Sequence, residues 1–193
     1  GFGGADAGQD DLAAGYNRAK LAWYTVDPVF YTQQFRPAGI SNSDISLNTT
    51  RRIFIQEIFP LNTNLPNMVG LAFTVRYIPA REDLNALEVF KNPKHPQRVA
   101  IEECPKNHVL IFDSRKDPRA ASAGAILITR LMVKGCAGVV TDGGFRDSNE
   151  IKNLRIPSYH NRASSPTNLT LHQAVDINVP IGCGDVAVWP GDL

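Results

Sequence analysis

The sequence predicts an α/β domain with a parallel or mixed central sheet, on three observations. From about Arg51 onward, β-rich apolar runs alternate with segments of helical periodicity. One run, residues 136–141, is apolar almost without a break, as in a strand covered on both faces. Two of the runs also end in carboxylates, Asp113 and Asp142, where open α/β sheets collect their ligands.

The elements follow in order. Residues 68–78, Met-Val-Gly-Leu-Ala-Phe-Thr-Val-Arg-Tyr-Ile, read as a strand, and residues 108–113 as a second. Residues 121–134 read as a helix, because Gly124, Leu127, Ile128 and Leu131 repeat at i, i+3, i+4 and i+7, and Gly135 stands where a helix closes. The 136–141 strand comes next, then a short helix over 148–154. Short strands are expected at 156–160, 177–181 and 186–189. This alternation implies parallel pairing through right-handed crossovers. The first 50 residues differ: small and polar residues surround one aromatic island at 21–26. A helix starting at Asp10 or Asp11 and running to about Tyr24 is expected, followed by loop over 28–48.

Composition excludes several classes. Of 193 residues, 43% are apolar and 20% charged, which is globular rather than disordered. Lys and Arg number 20 against 19 Asp and Glu, so bulk electrostatics offers no basis for nucleic-acid binding. The longest apolar stretch, 121–140, is broken by Arg130 and Lys134, and so predicts no membrane span. Three widely spaced cysteines, Cys104, Cys136 and Cys183, fit neither a disulfide framework nor a CxxC metal site; a reducing, cytoplasmic setting is expected. The chain opens at Gly1 and stops at Leu193 just after the turn-like Pro190-Gly191-Asp192, which suggests a fragment.

The chemistry concentrates in Thr141-Asp142-Gly143-Gly144-Phe145-Arg146-Asp147-Ser148-Asn149-Glu150. Two glycines let the backbone turn sharply and approach a ligand. Arg146 offers a planar bidentate cation and Asp147 a hard oxygen ligand, a pair that suits a carboxylate or enolate held beside Mg²⁺. Asp147 with Glu150 three residues later is also a variant of the capping box, so on the residues alone Asp147 reads first as the N-cap of the next helix. Gly124, Ala125, Ile126 and Leu127 open the long helix, whose free amides make an anion site, although Gly124 is equally open to being a packing glycine. Other motifs carry less. The G-x-G-x-x-A pattern at 182–187 leads into Pro190-Gly191 rather than a helix and reads as a turn. His160 and His172 lack metal-ligand spacing and read as structural. No Ser or Cys stands in a nucleophile elbow.

Residues 52–193 resemble the RraA-like family, which includes the regulator of ribonuclease activity and the class II pyruvate aldolases. The matching text is Met68-Val69-Gly70 with Ala72-Phe73-Thr74, then Ala120-Ala121-Ser122-Ala123-Gly124, then 138–147, and finally Pro180-Ile181-Gly182-Cys183-Gly184 and Pro190-Gly191-Asp192. The resemblance implies an RraA-like α/β sandwich, lacking its C-terminal strand, and a lyase site. In it Asp147 holds Mg²⁺ or Mn²⁺, Arg146 holds the pyruvyl group and its enolate, and the amides of Gly124, Ala125, Ile126 and Leu127 receive the substrate carboxylate. The implied substrates are 4-hydroxy-4-methyl-2-oxoglutarate, 4-carboxy-4-hydroxy-2-oxoadipate and oxaloacetate. The implied assembly is a homotrimer or hexamer, with no membrane and no direct nucleic-acid partner. The alternative implied by the same family is a non-catalytic protein that binds and inhibits an endoribonuclease. Ala125 departs from the pattern, since family aldolases often carry an acid there. Residues 1–51 form a separate segment; of these, 1–50 resemble a stretch of the SprA secretion translocon, which suggests a fusion with its seam near 50–60.

Overall fold

The computed structural model describes residues 55, 57–81 and 83–192. The helix expected from Asp10 or Asp11 to about Tyr24, the loop over 28–48 and the SprA-like segment lie outside the described residues.

Among the described residues, eleven strands and three α-helices follow one another: β1 (Phe59–Pro60), β2 (Leu71–Pro79), α1 (Pro96–Glu103), β3 (His108–Asp113), β4 (Ala121–Ala123), α2 (Ala125–Lys134), β5 (Gly138–Thr141), β6 (Gly144–Phe145), α3 (Ser148–Lys152), β7 (Ser158–His160), β8 (Arg162–Ala163), β9 (His172–Ile177), β10 (Ile181–Cys183) and β11 (Val186–Val188). A six-stranded sheet in the order β1-β7-β5-β3-β2-β9 forms the centre. Its inner strands β7, β5, β3 and β2 are parallel, and the edge strands β1 and β9 run antiparallel to them, so the sheet is mixed, as the sequence predicts.

Strand periodicity divides the core into two layers. On one face Phe73, Val75, Tyr77, Leu110, Phe112 and Val139 pack against Ala100 and Ile101 of α1 and Ile128 and Leu131 of α2. On the other, Ala72, Val109, Ile111 and Val140 meet Ile181, Cys183, Val186 and Val188 of the β10–β11 hairpin. Each Leu, Ile or Val side chain that is fully buried in this way contributes about 1.5–3 kcal/mol. The hairpin turns on Gly184 and Asp185, both with positive φ (53° and 68°), the two-residue geometry whose twist suits paired strands. The G-x-G-x-x-A pattern is thus a turn, as expected.

The structure corrects the sequence reading in two places. The helix expected over 121–134 is a strand, β4, followed by α2 from Ala125. Ala-Ser-Ala is compatible with a helix, but partners remote in the chain hold it extended. The Ala121 N–H donates to the Pro166 carbonyl (2.8 Å), and the Ala123 carbonyl accepts the Arg146 N–H (3.1 Å). The strand expected over 177–181 is instead the end of β9 at Ile177, a link over 178–180 and the start of β10 at Ile181. The chain turns there at Asn178, which has φ 53°, and the Asn178 N–H donates to the Thr74 carbonyl (2.7 Å). The remaining boundaries agree to within a few residues. Gly135 ends α2 in the left-handed conformation with its N–H on Leu131 and Met132, as expected.

Candidate functional site

A second, three-stranded sheet, β4-β6-β8, brings the two halves of the site together. β4 runs into Gly124, the N-cap of α2, whose carbonyl accepts the Leu127 and Ile128 N–H groups (3.1 and 3.2 Å). The neighbouring β6 runs into Arg146 and Asp147. The Asp147 carboxylate accepts the Ala125 N–H (3.2 Å) and lies 3.5 Å from Arg146 Nε. The amino end of one helix and the guanidinium–carboxylate pair are therefore in direct contact.

This geometry separates the backbone of Asp147 from its side chain. It occupies the N-cap position of α3, and its carbonyl accepts the Glu150 and Ile151 N–H groups (2.9 and 3.0 Å). Its side chain makes no capping bond. Its backbone is left-handed (φ 56°, ψ 35°), a conformation that costs a non-glycine residue about 1–2 kcal/mol. The carboxylate meets the first amide of α2 instead of capping α3.

Gly124 is the counterpart of that strain. A Cβ there would stand 2.6 Å from Arg146 Nε and 2.7 Å from the Asp147 carboxylate, so only glycine lets the pair come this close to the helix end. Of the four residues expected to offer amides, Ala125 already gives its N–H to Asp147, and Leu127 gives its own to the Gly124 carbonyl. The anion site is thus narrower than the sequence suggests. Ile126, in the first turn where N–H groups lack intrahelical partners, carries an exposed side chain. Arg146 and Asp147 are themselves about half exposed, at 44% and 40%.

Two hollows meet at Arg146. One, of about 360 Å³, is bordered by Asp147, Asn149, Glu150, Ser164 and Ser165 together with Phe145 and Ala163. The other, of about 240 Å³, has apolar walls from Leu87, Phe90, Ile126 and Leu127, with Gln97 and Asn168 also lining it. Sequence reasoning missed that second hollow. Its only signal was Gln97, a polar residue in the buried stripe that α1 forms with Ala100 and Ile101.

The other acids at the strand ends do different work. Asp142 is buried and accepts the N–H groups of Ser114 (2.6 Å), Lys116 (3.0 Å) and Gly184 (3.1 Å), tying three loops together. Burial raises its carboxyl to about 6, against the pull of those donors. Asp113 accepts the Arg115 N–H (2.9 Å). His172 is buried between the Asp117 carbonyl and Arg115 (both 3.0 Å), and His160 stacks on Phe145, with burial lowering its ring to about 4. Among the described residues, no three His, Cys, Asp or Glu side chains form a metal-binding group, and no helix is long and apolar enough to cross a membrane.

A family model described as Aldolase/RraA matches residues 38–193. This chain belongs to the RraA-like family. It is 33% identical over 140 residues to a Halalkalibacterium halodurans protein provisionally named 4-hydroxy-4-methyl-2-oxoglutarate aldolase, a match covering 70% of this chain and 58% of that one. The chain thus spans little more than half the length of this RraA-like relative. Its fold is similar to Streptomyces coelicolor RraAS2, described as an unusual member of the RNase ES inhibitor RraA protein family (TM-score 0.58, 25% identity, 68% of this chain and 62% of that one). The RNA-processing inhibitor RraA from Thermus thermophilus shares the fold (TM-score 0.53, 24% identity, 70% of this chain and 74% of that one). The SprA resemblance gains no support from these matches, and the family match reaches back to residue 38.

Proposed function

We propose that this RraA-like chain is a divalent-metal-dependent lyase that breaks a carbon–carbon bond in a pyruvyl-containing oxo-acid. The substrates in view are 4-hydroxy-4-methyl-2-oxoglutarate, 4-carboxy-4-hydroxy-2-oxoadipate and oxaloacetate. One observation carries the reading: the Asp147 carboxylate leaves its own helix uncapped and meets the amino end of α2 beside Arg146. The name given to the H. halodurans relative supports it.

The donor set suits Mg²⁺ or Mn²⁺ of a particular kind. Two carboxylates at one hollow, half-exposed Asp147 and exposed Glu150, fit a hard cation that would keep most of its water, not one caged by protein. Asp147 would hold it, and the ion would supply Lewis-acid stabilisation of negative charge on the pyruvyl oxygens. This chain's own residues do the rest. Arg146 places a fixed positive fork where the enolate charge develops, which lowers the barrier because the interaction strengthens as the bond breaks. The open first turn of α2 receives the substrate carboxylate. In aldol cleavage the electron pair of the C3–C4 bond stays on the pyruvyl fragment as its enolate, while the C4 hydroxyl loses its proton and becomes a carbonyl; a proton from water then adds at C3 and gives pyruvate. With Ala125 offering no acid, that proton leaves through water near the cleft carboxylates Asp147 and Glu150. Assembly as a homotrimer or hexamer belongs to the same reading, an adjoining copy covering exposed Leu87 and Ile126.

Pyruvate release from oxaloacetate or 4-hydroxy-4-methyl-2-oxoglutarate with added Mg²⁺ tests the proposal. Release above the uncatalysed rate that disappears in Asp147→Ala is expected. No release, or release unchanged by that substitution, would contradict it. Ala125 favours a second reading, a non-catalytic protein that inhibits an endoribonuclease. Slowed RNA cleavage by such a nuclease, without pyruvate release, would select it.

A further inference from the structure

Beneath the site lies a closed ring of hydroxyls. Thr141 Oγ1 is 2.6 Å from Ser122 Oγ and 3.3 Å from Ser114 Oγ, and the two serine oxygens are 2.7 Å apart. The three residues come from the end of β5, the middle of β4 and the residue after β3, and none is exposed at all. Three hydroxyl protons serve three edges, so every oxygen donates once and accepts once. Thr141 Oγ1 has a further lone pair, which accepts the Gly143 N–H at 2.9 Å.

Both halves of the site hang from this ring. Ser122 fixes β4 from two sides: its hydroxyl sits in the ring, and its carbonyl accepts the Tyr77 hydroxyl (2.8 Å) and Gln97 Nε2 (2.7 Å). The residues that follow are Ala123, whose carbonyl holds the Arg146 N–H, and Gly124 at the start of α2. On the other side, Gly143 begins the run that ends in Arg146 and Asp147. A Cβ on Gly143 would stand 2.6 Å from Ser114 Cβ and 3.0 Å from Ser122 Oγ, so this run passes directly over the ring. The visible ties between the halves are the Ala125 N–H to the Asp147 carboxylate (3.2 Å) and the Arg146 N–H to the Ala123 carbonyl (3.1 Å), whereas the half-exposed Arg146–Asp147 ion pair lies within one half and is a weak ruler for its carboxylate, because water screens it. A dry ring with every bond made is a stiff one.

We propose that Thr141 is a positioning residue: its hydroxyl locks the Gly143–Asp147 segment against β4 and thereby keeps the Asp147 carboxylate on the Ala125 amide beside Arg146. The catalytic consequence rests on the lyase reading, whereas the geometric one stands without it. Thr141→Val keeps the shape and removes the hydroxyl; Thr141→Ser keeps the hydroxyl and removes a methyl.

The test is the change that Asp147→Ala produces in the Ala125 amide resonance, measured in the parent, Thr141→Val and Thr141→Ser backgrounds. The change is expected to persist with Ser and to collapse with Val. A full-sized change with Val overturns the proposal. Where the parent releases pyruvate, Thr141→Val should lower kcat about 10²-fold with KM moved less, since small misplacements of reacting groups cost that much. Thr141→Ser should restore most of the rate, and equal losses in both variants overturn the positioning role. Where the parent releases none, the lyase reading fails while the resonance decides the positioning role by itself. Should Thr141→Val not fold, Ser122→Ala, which detaches β4 and leaves the Thr141–Gly143 bond, takes its place with the same expectation.

Discussion

Asp142 and Asp147 lie on one short stretch after the same buried strand, each next to a residue that shapes the site, yet the fold uses them in opposite ways. Asp142 is 2% exposed and its oxygens are taken by three backbone amides from two other loops, Ser114 and Lys116 after β3 and Gly184 in the β10–β11 turn. Asp147 is 40% exposed at its side chain and takes one amide, at the open end of a helix. The difference is one of remaining capacity. A carboxylate whose acceptor sites are filled by protein in a dry place organises structure, and one with acceptor sites facing a hollow is available to a ligand.

Substitution separates the two most strongly at Asp142. Asp142→Ala strands the buried amides of Ser114 and Gly184 and the part-buried one of Lys116; at about 1–3 kcal/mol for each buried amide, a loss of about 4 kcal/mol is expected in the unfolding free energy measured with urea. Asp147→Ala should leave stability within about 1–2 kcal/mol, the cost of a left-handed backbone being the main term. Its effect is on turnover, a fall of about 10²-fold or more in pyruvate release. Comparable destabilisation by the two variants would erase the distinction. Gly124→Ala sharpens it further: the added methyl displaces both Arg146 and Asp147 while the extended backbone (φ −126°) accepts alanine, so activity should fall and the unfolding midpoint should barely move.

The pH dependence of the two regions should also differ. Burial raises the folded-state carboxyl of Asp142 to about 6 from its ordinary value of 3.8. The folded protein therefore holds this proton more tightly than the unfolded chain, and the contribution is fully present below pH 4. It is lost as the pH rises towards 6, by about 3 kcal/mol across that window. The amides of Ser114 and Gly184 should titrate together with a midpoint near that value. Independent titration of the two, or a midpoint at the ordinary carboxylate value, would break the account. The smallest effect belongs to the surface next to this region: Asp185→Asn removes the exposed Lys116–Asp185 pair and should change stability by less than about 0.5 kcal/mol, since asparagine also tolerates the left-handed turn.

Much of this was legible in the sequence, for reasons that differ by residue. The strand His108–Asp113 is found at its expected bounds because an unbroken β-rich run between polar residues leaves no competing period. Gly135 marks the end of α2 because the left-handed cap is a local demand that glycine meets. Strand β4 was hidden because Ala121, Ser122 and Ala123 state no preference; Pro166, Tyr77, Gln97 and Arg146, all distant in the chain, hold them extended. Strand β9 was hidden because this edge strand carries His172, Gln173 and Asp176 in place of an apolar run. At the site, Arg146, Asp147 and Gly124 could be named because glycines and a charge pair have local signatures. The double meaning of Asp147 could not be resolved from sequence, since the N-cap position and the side chain's partner are separate facts. The Ser114–Ser122–Thr141 ring has no signature, because three common residues acquire meaning only from a tertiary contact.

The most direct measurement is a titration of the amide spectrum with oxalate, a planar mimic of the pyruvate enolate, in the presence of Mg²⁺. The account predicts that the largest changes fall on Ala125, Ile126, Arg146 and Asp147 and vanish in Asp147→Ala. Changes centred elsewhere on the molecule, or unchanged in that variant, would contradict it.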